Sequence, residues 1–326
     1  MKLIDLNYGE NYKEEIDLKR SLENKIAGKL DISKSQVLLN YGSNSNLILF
    51  FSSLAAKTLF EKKRRLKVLL DVPNYFFTMT QLSQWPIKSI HIKRDRDFNF
   101  LFDKYITAVK KHKPDVVVIT TPNNPTGKPI KDDEIIKIIK AAPKESIVFI
   151  DRSCINTLPE LSSKDILHNY PDKNIVIIHS FSKSHSLSDQ RVGYLASNRV
   201  ELVRSLRPKS DLNHNLHGLQ QLAKVMDNKK LVESKRKIIT GCNKLLKKSF
   251  TGIPDFTYYE SHSNFALIKL PAGITSEYVE EYMKKKNILL MGGHRLGLGD
   301  SYIRIHMSGV DKIGKFIEEY ERMIKL

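Results

Sequence analysis

A series of short, unbroken apolar runs separated by stretches of helical period limits what this chain can become. Val68-Leu69-Leu70-Asp71, Ile90-His91-Ile92, Val116-Val117-Val118-Ile119, Ile147-Val148-Phe149-Ile150 and Ile175-Val176-Ile177-Ile178 read as strands. The longer ones are continuous rather than alternating, so burial on both faces is expected. The segments between them, such as Lys131 to Ala142, read as helices. Strand, helix, strand in this order predicts an α/β fold with a mostly parallel central sheet flanked by helices and joined by right-handed crossovers.

Beyond this series the pattern changes. Glu201 to Arg207 has a helical look that ends at Pro208, and a long helical region follows from about Asn215 to Leu246. Ala266-Leu267-Ile268-Lys269-Leu270 and Tyr302-Ile303-Arg304-Ile305-His306 are strand-like runs with helices before and after. A smaller α+β domain is expected there. The predicted division is a large domain over 27–205, with 1–26 and 206–326 forming the small domain and an N-terminal segment. The sequence has no repeat, low-complexity tract or Gly/Ser linker to separate the two.

Composition excludes several classes. The 326 residues are 41% hydrophobic and 28% charged, enough apolar material for a real core. No apolar stretch approaches a membrane span, and Asp5 interrupts the opening residues before a secretory core could form, so a cytoplasmic location without membrane contact is expected. Cys154 and Cys242 lack metal-ligand spacing, which argues against zinc. With 54 Lys+Arg against 36 Asp+Glu the net charge is +18, which raises nucleic acid as a partner. The basic clusters, such as Glu61-Lys62-Lys63-Arg64-Arg65 and Lys235-Arg236-Lys237, lie apart on amphipathic helical patterns without interleaved aromatics. They read as solvated faces, and no nucleic-acid partner is expected.

Three strands deliver polar side chains to one sheet edge. Pro122-Asn123-Asn124-Pro125-Thr126-Gly127 follows the run ending at Ile119, Asp151 follows the next, and His179-Ser180-Phe181-Ser182-Lys183 follows the third, with Arg191-Val192-Gly193-Tyr194 close behind. Ligands of parallel sheets bind at the carboxyl edge. Taken singly, Asn-Pro-Thr-Gly is a turn, an aspartate after a strand is a cap, and a lysine faces solvent. The ordered set of Asn124, Asp151, Lys183 and Arg191 has no such simple explanation.

At these residues the chain resembles the fold-type I pyridoxal-phosphate enzymes, in the aminotransferase branch that includes histidinol-phosphate aminotransferase, over about residues 22–310. The resemblance implies that Lys183 forms the internal aldimine with pyridoxal 5'-phosphate and that Asp151 pairs with the protonated ring nitrogen. It implies Asn124 at the ring phenolic oxygen, and Ser180, Ser182 and Arg191 at the cofactor phosphate. Gly42-Ser43-Asn44-Ser45 resembles the family's Gly-Ser-Asp-Glu turn at the start of an apolar helix, Leu47 to Phe60, so Ser43 and Asn44 join the phosphate site. Pro73-Asn74-Tyr75 resembles Pro-Thr-aromatic, making Tyr75 the ring-stacking residue, with Phe76 and Phe77 as alternatives. Tyr302-Ile303-Arg304-Ile305 matches the family's Ile-Arg-Ile strand, whose arginine clamps the substrate carboxylate, with Asn124 beside it. Ser263-Asn264-Phe265 matches the family's Asn-Phe and is expected to be structural.

The chain departs from the family in three places. Asp151-Arg152-Ser153-Cys154 puts a weakly donating thiol where the family has a tyrosine. Asn7 to Tyr12 stands where the family has a longer covering segment, with Tyr12 as a possible remnant. Met291-Gly292 replaces a Val-Arg that helps hold substrate phosphate, with His294 or Arg295 as substitutes. The expected function is amino-group transfer between an α-amino acid or related amine and a 2-oxo acid by a homodimer. Two alternatives stay open: a decarboxylase, lyase or cyclase on the same cofactor, and a non-catalytic basic binding protein.

Overall fold

The computed structural model describes residues 12–207, 215–251 and 256–324. The segment Asn7 to Asn11 and the break at Pro208 lie outside the described residues. Helix α1 (Tyr12–Leu30) precedes strand β1 (Val37–Asn40), which leads into α2 (Gly42–Lys62). Strands and helices then alternate as β2 (Leu66–Val72), α3 (Phe76–Gln84), β3 (Ile87–Lys93), α4 (Phe102–His112), β4 (Val116–Thr120), α5 (Asp132–Ala141), β5 (Ile147–Asp151), α6 (Ser163–His168) and β6 (Asn174–Ser180). A short helix, α7 (Phe181–Ser184), turns the chain back into β7 (Gly193–Ser197), followed by α8 (Val200–Leu206).

These seven strands form one sheet in the order β1-β7-β6-β5-β4-β2-β3. Strand β7 is antiparallel to both β1 and β6, while the remaining pairs are parallel. It therefore begins at the edge where the others end. That reversal brings Arg191, just before β7, to the edge reached by Asn124, Asp151 and Lys183.

Helices cover both faces, which is why the central runs are continuous rather than alternating. On one face Leu22 and Ile26 of α1, Tyr105 of α4 and Ile138 of α5 pack on the sheet. On the other Leu47, Phe50 and Phe51 of α2 and Val203 of α8 do so. Each such fully buried side chain contributes roughly 1.5–3 kcal/mol. The outer strand β3 exposes Lys88 and Lys93, which discourage pairing with another chain.

The expected long helix over 215–246 is two helices, α9 (Leu216–Val225) and α10 (Lys229–Phe250). Asn228 Oδ1 accepts the Leu231 amide at 3.0 Å and caps α10, a local start signal that divides one amphipathic stretch. Leu219 and Leu222 of α9 belong to the core beneath the large sheet. The chain continues through β8 (Thr257–Tyr259), β9 (Phe265–Lys269), α11 (Ser276–Lys285), β10 (Met291–Gly292), β11 (Tyr302–His306) and α12 (Val310–Met323). A second, antiparallel sheet has the order β10-β11-β9-β8. Ile313, Phe316, Ile317 and Tyr320 form a helical stripe on α12 and share a core with Ile239 and Leu246 of α10 and Ile268 and Ile303 of the sheet.

The loop carrying Asn124 is keyed to the second sheet. Gly127 has φ +72°, its carbonyl accepts the His262 amide at 2.9 Å, and a Cβ there would lie 1.8 Å from Ser261 Oγ. Only glycine fits this junction.

Candidate active site

The ten residues named from sequence line one cavity of about 220 Å³ at the carboxyl edge of the large sheet: Ser43, Asn44, Tyr75, Asn124, Asp151, Ser180, Ser182, Lys183, Arg191 and Arg304. One end of the cavity is built for an anion. Ser43 and Asn44 lie in the first turn of α2, whose amides have no acceptor within the helix. Gly42, at φ +70°, passes beneath the Arg191 guanidinium, and a Cβ there would be 3.1 Å from Nη2. Arg191 has φ +50° and donates Nη1 to the Ser188 carbonyl at 3.0 Å, which aims the rest of its fork. Ser180 Oγ accepts the Ser182 amide at 3.2 Å, while Ser182 Oγ is buried with no partner.

The middle of the cavity is floored by Tyr75, held through a buried polar cluster. Its amide donates to Asn74 Oδ1 at 2.7 Å, and its hydroxyl donates to Asn44 Oδ1 at 3.2 Å. Asn74 donates to the Asp71 carbonyl, and Thr120 Oγ1 donates to Asn74 Oδ1. Beneath them Arg94 Nε meets Asp71 Oδ2 at 2.6 Å, with both side chains 1% exposed. Phe76 also lines the cavity, whereas Phe77 packs against the α2 side of the core.

At the other end Asp151 is a buried carboxylate. It accepts the Ser153 amide at 2.8 Å, and burial lifts its carboxyl above the ordinary value. Among the described residues no cation is among the causes that shift Asp151. Cys154 faces the same space. Burial, with the charge of Asp151 adding, pushes its thiol up to about 12, so it is a neutral S–H. Lys183 stands between the two ends, and burial with the charges of Arg304 and Arg191 lowers its amine below the ordinary lysine value.

Arg304 enters from β11. Its Nη1 donates to Asn124 Oδ1 at 2.8 Å, its Nη2 to Met291 Sδ at 3.4 Å, and its guanidinium lies 5.2 Å from the Phe265 ring centre. Asn264 and Phe265 line the cavity, so the segment expected to be structural also shapes the site. His294 and Arg295 do not line it; both engage Glu280. Sequence reasoning passed over Thr120, Ser153, Ser188 and His306, which also line the cavity. His306 had a signal, since it follows Arg304 by two positions and a strand returns to the same face at that spacing.

An anion cradle, an opposed carboxylate and a lysine of lowered basicity between them suit a ligand with a phosphate, an electrophile and a basic nitrogen. The profile of the aminotransferase class I and II family matches residues 9–314. The histidinol-phosphate aminotransferase of Chlorobaculum tepidum is 26% identical over 303 residues, covering 92% of this chain and 80% of that protein. The histidinol-phosphate aminotransferase from Clostridium acetobutylicum superposes with TM-score 0.82 at 21% identity, covering 97% of this chain and 94% of that one. A decarboxylase from Sulfurospirillum multivorans superposes with TM-score 0.81 at 20% identity, covering 96% and 88%. The chain belongs to the aminotransferase class I and II family. It is a pyridoxal-phosphate-dependent aminotransferase, and the unpartnered Ser182 hydroxyl, the Gly42 and Arg191 cradle and the buried Asp151 fit that cofactor. No helix among the described residues is long and apolar enough to cross a membrane.

Proposed function

We propose that the chain moves an amino group between an α-amino acid and a 2-oxo acid, with Lys183 as the residue that holds the cofactor aldehyde. The observation that carries this reading is the Arg304–Asn124 pair lining the same cavity as Lys183, a guanidinium with five N–H donors of which one is given to Asn124 and one to the Met291 sulfur, leaving others for a carboxylate. Ser43, Asn44, Ser180, Ser182 and Arg191 would hold the cofactor phosphate, Tyr75 the ring face and Asp151 the ring nitrogen. Asn124 has its Oδ1 turned to Arg304, which leaves its Nδ2 to donate to the ring oxygen.

When bound, pyridoxal phosphate supplies the aldehyde that joins the substrate amine and a ring that withdraws electrons from the bond being broken. Asp151 keeps the ring nitrogen protonated and so maintains that withdrawal. Lys183, whose basicity burial lowers, would take the proton from the substrate α-carbon onto its Nζ and hold it there for transfer onward. Arg304 and Asn124 fix the carboxylate so that the α-hydrogen points to Lys183.

His294 and Arg295 are engaged with Glu280 outside the cavity; with Arg191 given to the cofactor phosphate, Arg304 is the other arginine of its lining and favours a carboxylate-bearing substrate. We further propose a homodimer: Phe76 lines the site yet is 45% exposed, and Phe60 of α2 is 73% exposed, so a second copy would cover both. Light scattering of the purified protein tests the assembly. The reaction is tested by incubating purified protein with a panel of amino acids, with and without a 2-oxo acid. New amino acid and oxo acid formed only when both substrates are present support transamination. Carbon dioxide released without an oxo acid would replace that reading with decarboxylation.

A further inference from the structure

The sequence Arg304-Ile305-His306 places an imidazole beside the proposed carboxylate clamp. On a strand, positions two apart share a face and lie about 6.6 Å apart along the chain. Accordingly Arg304 and His306 both line the cavity, while Ile303 and Ile305 turn into the core of the second sheet. His306 pairs in register with Phe265, and Arg304 with Leu267.

The hydrogen bonds fix which imidazole nitrogen carries the proton. Asn264 Oδ1 accepts from the Ile155 amide at 3.4 Å and from Ser263 Oγ at 3.3 Å. The Ile155 amide can only donate, so the oxygen of the Asn264 side chain is the atom on that side. Its Nδ2 is then the donor that meets His306 Nε2 at 3.2 Å. Nε2 is therefore an acceptor, and in the neutral ring the proton resides on Nδ1. Among the described residues Nδ1 has no hydrogen-bond partner.

Desolvation, followed by the positive charges of Lys183, Arg304, Lys235 and Lys312, holds the imidazole below its ordinary value, while the side chain at the end of β11 still meets solvent. Those same charges make this part of the site favourable to anionic or oxygen-rich groups and hostile to a cation. A second cavity adjoins the first, sharing Lys183, Asn264 and His306 with it, and there Ser186, Ser308 and Lys235 add hydroxyl donors and a cation.

We propose that His306 determines substrate specificity: its Nδ1–H receives a hydrogen-bond acceptor, carboxylate, amide or phosphate oxygen, on the side chain of an amino acid whose α-carboxylate lies on Arg304. This rests on the transaminase reading above and adds the substrate class to it. A side chain ending in an ammonium is disfavoured twice, because it meets a donor rather than an acceptor and lies among positive charges.

The experiment compares kcat/KM of wild type, His306→Leu and His306→Asn for glutamate, glutamine, O-phosphoserine, lysine and alanine, the three oxygen-bearing substrates separating carboxylate from amide from phosphate. The wild type should prefer at least one of the three over alanine by tenfold or more and should prefer alanine over lysine. In His306→Leu that preference over alanine should fall by tenfold or more, and His306→Asn, which retains an N–H donor, should recover much of it. An α-methylated form of the preferred amino acid binds but has no α-proton to lose, and its affinity measured by calorimetry should weaken in parallel. A preference that stays within twofold in His306→Leu overturns the assignment, as does equal loss for alanine and the oxygen-bearing substrates. If the wild type converts no amino acid, the transaminase reading fails by itself, and calorimetry with α-methylglutamate against α-methylalanine still decides the role of His306: tighter binding of the former that is lost in His306→Leu supports it, and unchanged relative affinity overturns it.

Discussion

Arg304 Nη1 lies 2.8 Å from Asn124 Oδ1, so a guanidinium from the second sheet and an amide from the loop after β4 form one polar unit in the cavity lining. Burial lowers the basicity of Arg304, yet an arginine remains charged, so the pair brings a desolvated positive charge to a defined place before any substrate arrives. A carboxylate that binds there restores the compensation the burial removed. The following expectations begin from that pair.

Arg304→Lys keeps the charge and loses the fork. Transition-state stabilisation for α-amino acids should fall by roughly 2–4 kcal/mol, read from kcat/KM, because a buried charged contact is lost. Combined with Asn124→Ala the losses should be non-additive, with a coupling on the order of 0.5–3 kcal/mol in a double-mutant cycle. Amines lacking the carboxylate should be insensitive to Arg304→Lys; an equal loss for them would give Arg304 another role.

Lys183→Ala should abolish turnover while the protein stays folded and still holds pyridoxal phosphate noncovalently through the anion cradle. Mass spectrometry after borohydride treatment should find the cofactor fixed to the wild type and not to the variant. A fixed adduct in the variant would move the attachment point elsewhere.

The lowered basicity of Lys183 has a pH consequence. The neutral amine attacks the aldehyde, so cofactor attachment to the cofactor-free protein should speed up as pH rises and level off with a midpoint below the ordinary lysine value of about 10.4. The sign for stability follows as well. Between the lowered value and the ordinary one the folded, cofactor-free protein binds fewer protons than the unfolded chain, so this group's contribution to stability rises with pH across that window. An attachment midpoint at or above the ordinary value would mean that burial does not govern this lysine.

Cys154, a neutral thiol, is a poor donor where a tyrosine hydroxyl would be a good one. Cys154→Tyr should lower the midpoint of the visible-absorption pH titration of the holoenzyme by on the order of one unit, since a donor to the ring oxygen favours its charged form. An unchanged midpoint in a folded variant would show that residue 154 does not reach the ring.

The Asp71–Arg94 pair supports Tyr75 from below. Arg94→Met leaves the Asp71 carboxylate buried without a cation and should cost about 3–5 kcal/mol in urea unfolding, whereas Asp71→Leu with Arg94→Met should recover much of it. If the single and double variants unfold alike, the pair does not stabilise the fold as an ion pair.

Most of this site was legible because its residues follow strands whose apolar runs are long and unbroken. Asn124 sits just beyond β4, Asp151 ends β5 and Lys183 lies in the short helix that follows β6, where a parallel sheet presents its ligands. The strands missed were short: β1 has four residues, β8 three and β10 two, too few for a period to emerge. Strand β7 begins with a glycine and mixes tyrosine, alanine and serine, so the reversal that places Arg191 was visible only as a motif and not as geometry. The division between α9 and α10 carries no glycine or proline, only the Asn228 cap. The partnership of Asp71 with Arg94, like that of Asn264 with His306, is tertiary and leaves no mark in either local pattern.

The position of β7 has a consequence for how the molecule is made. Gly193 stands opposite Asn40 on one side and Ser180 on the other, so the strand is a wedge between β1 and β6. Strand β1 must wait for β7 before it has a neighbour in the sheet, and closure over so long a loop is slow. Asp151 and Lys183 can be presented by a partly assembled sheet, but the phosphate cradle of Gly42, Ser43 and Arg191 exists only after the wedge has entered. A bound phosphate would therefore latch the last strand in place, making the cofactor a fastener of the finished sheet as well as a reagent.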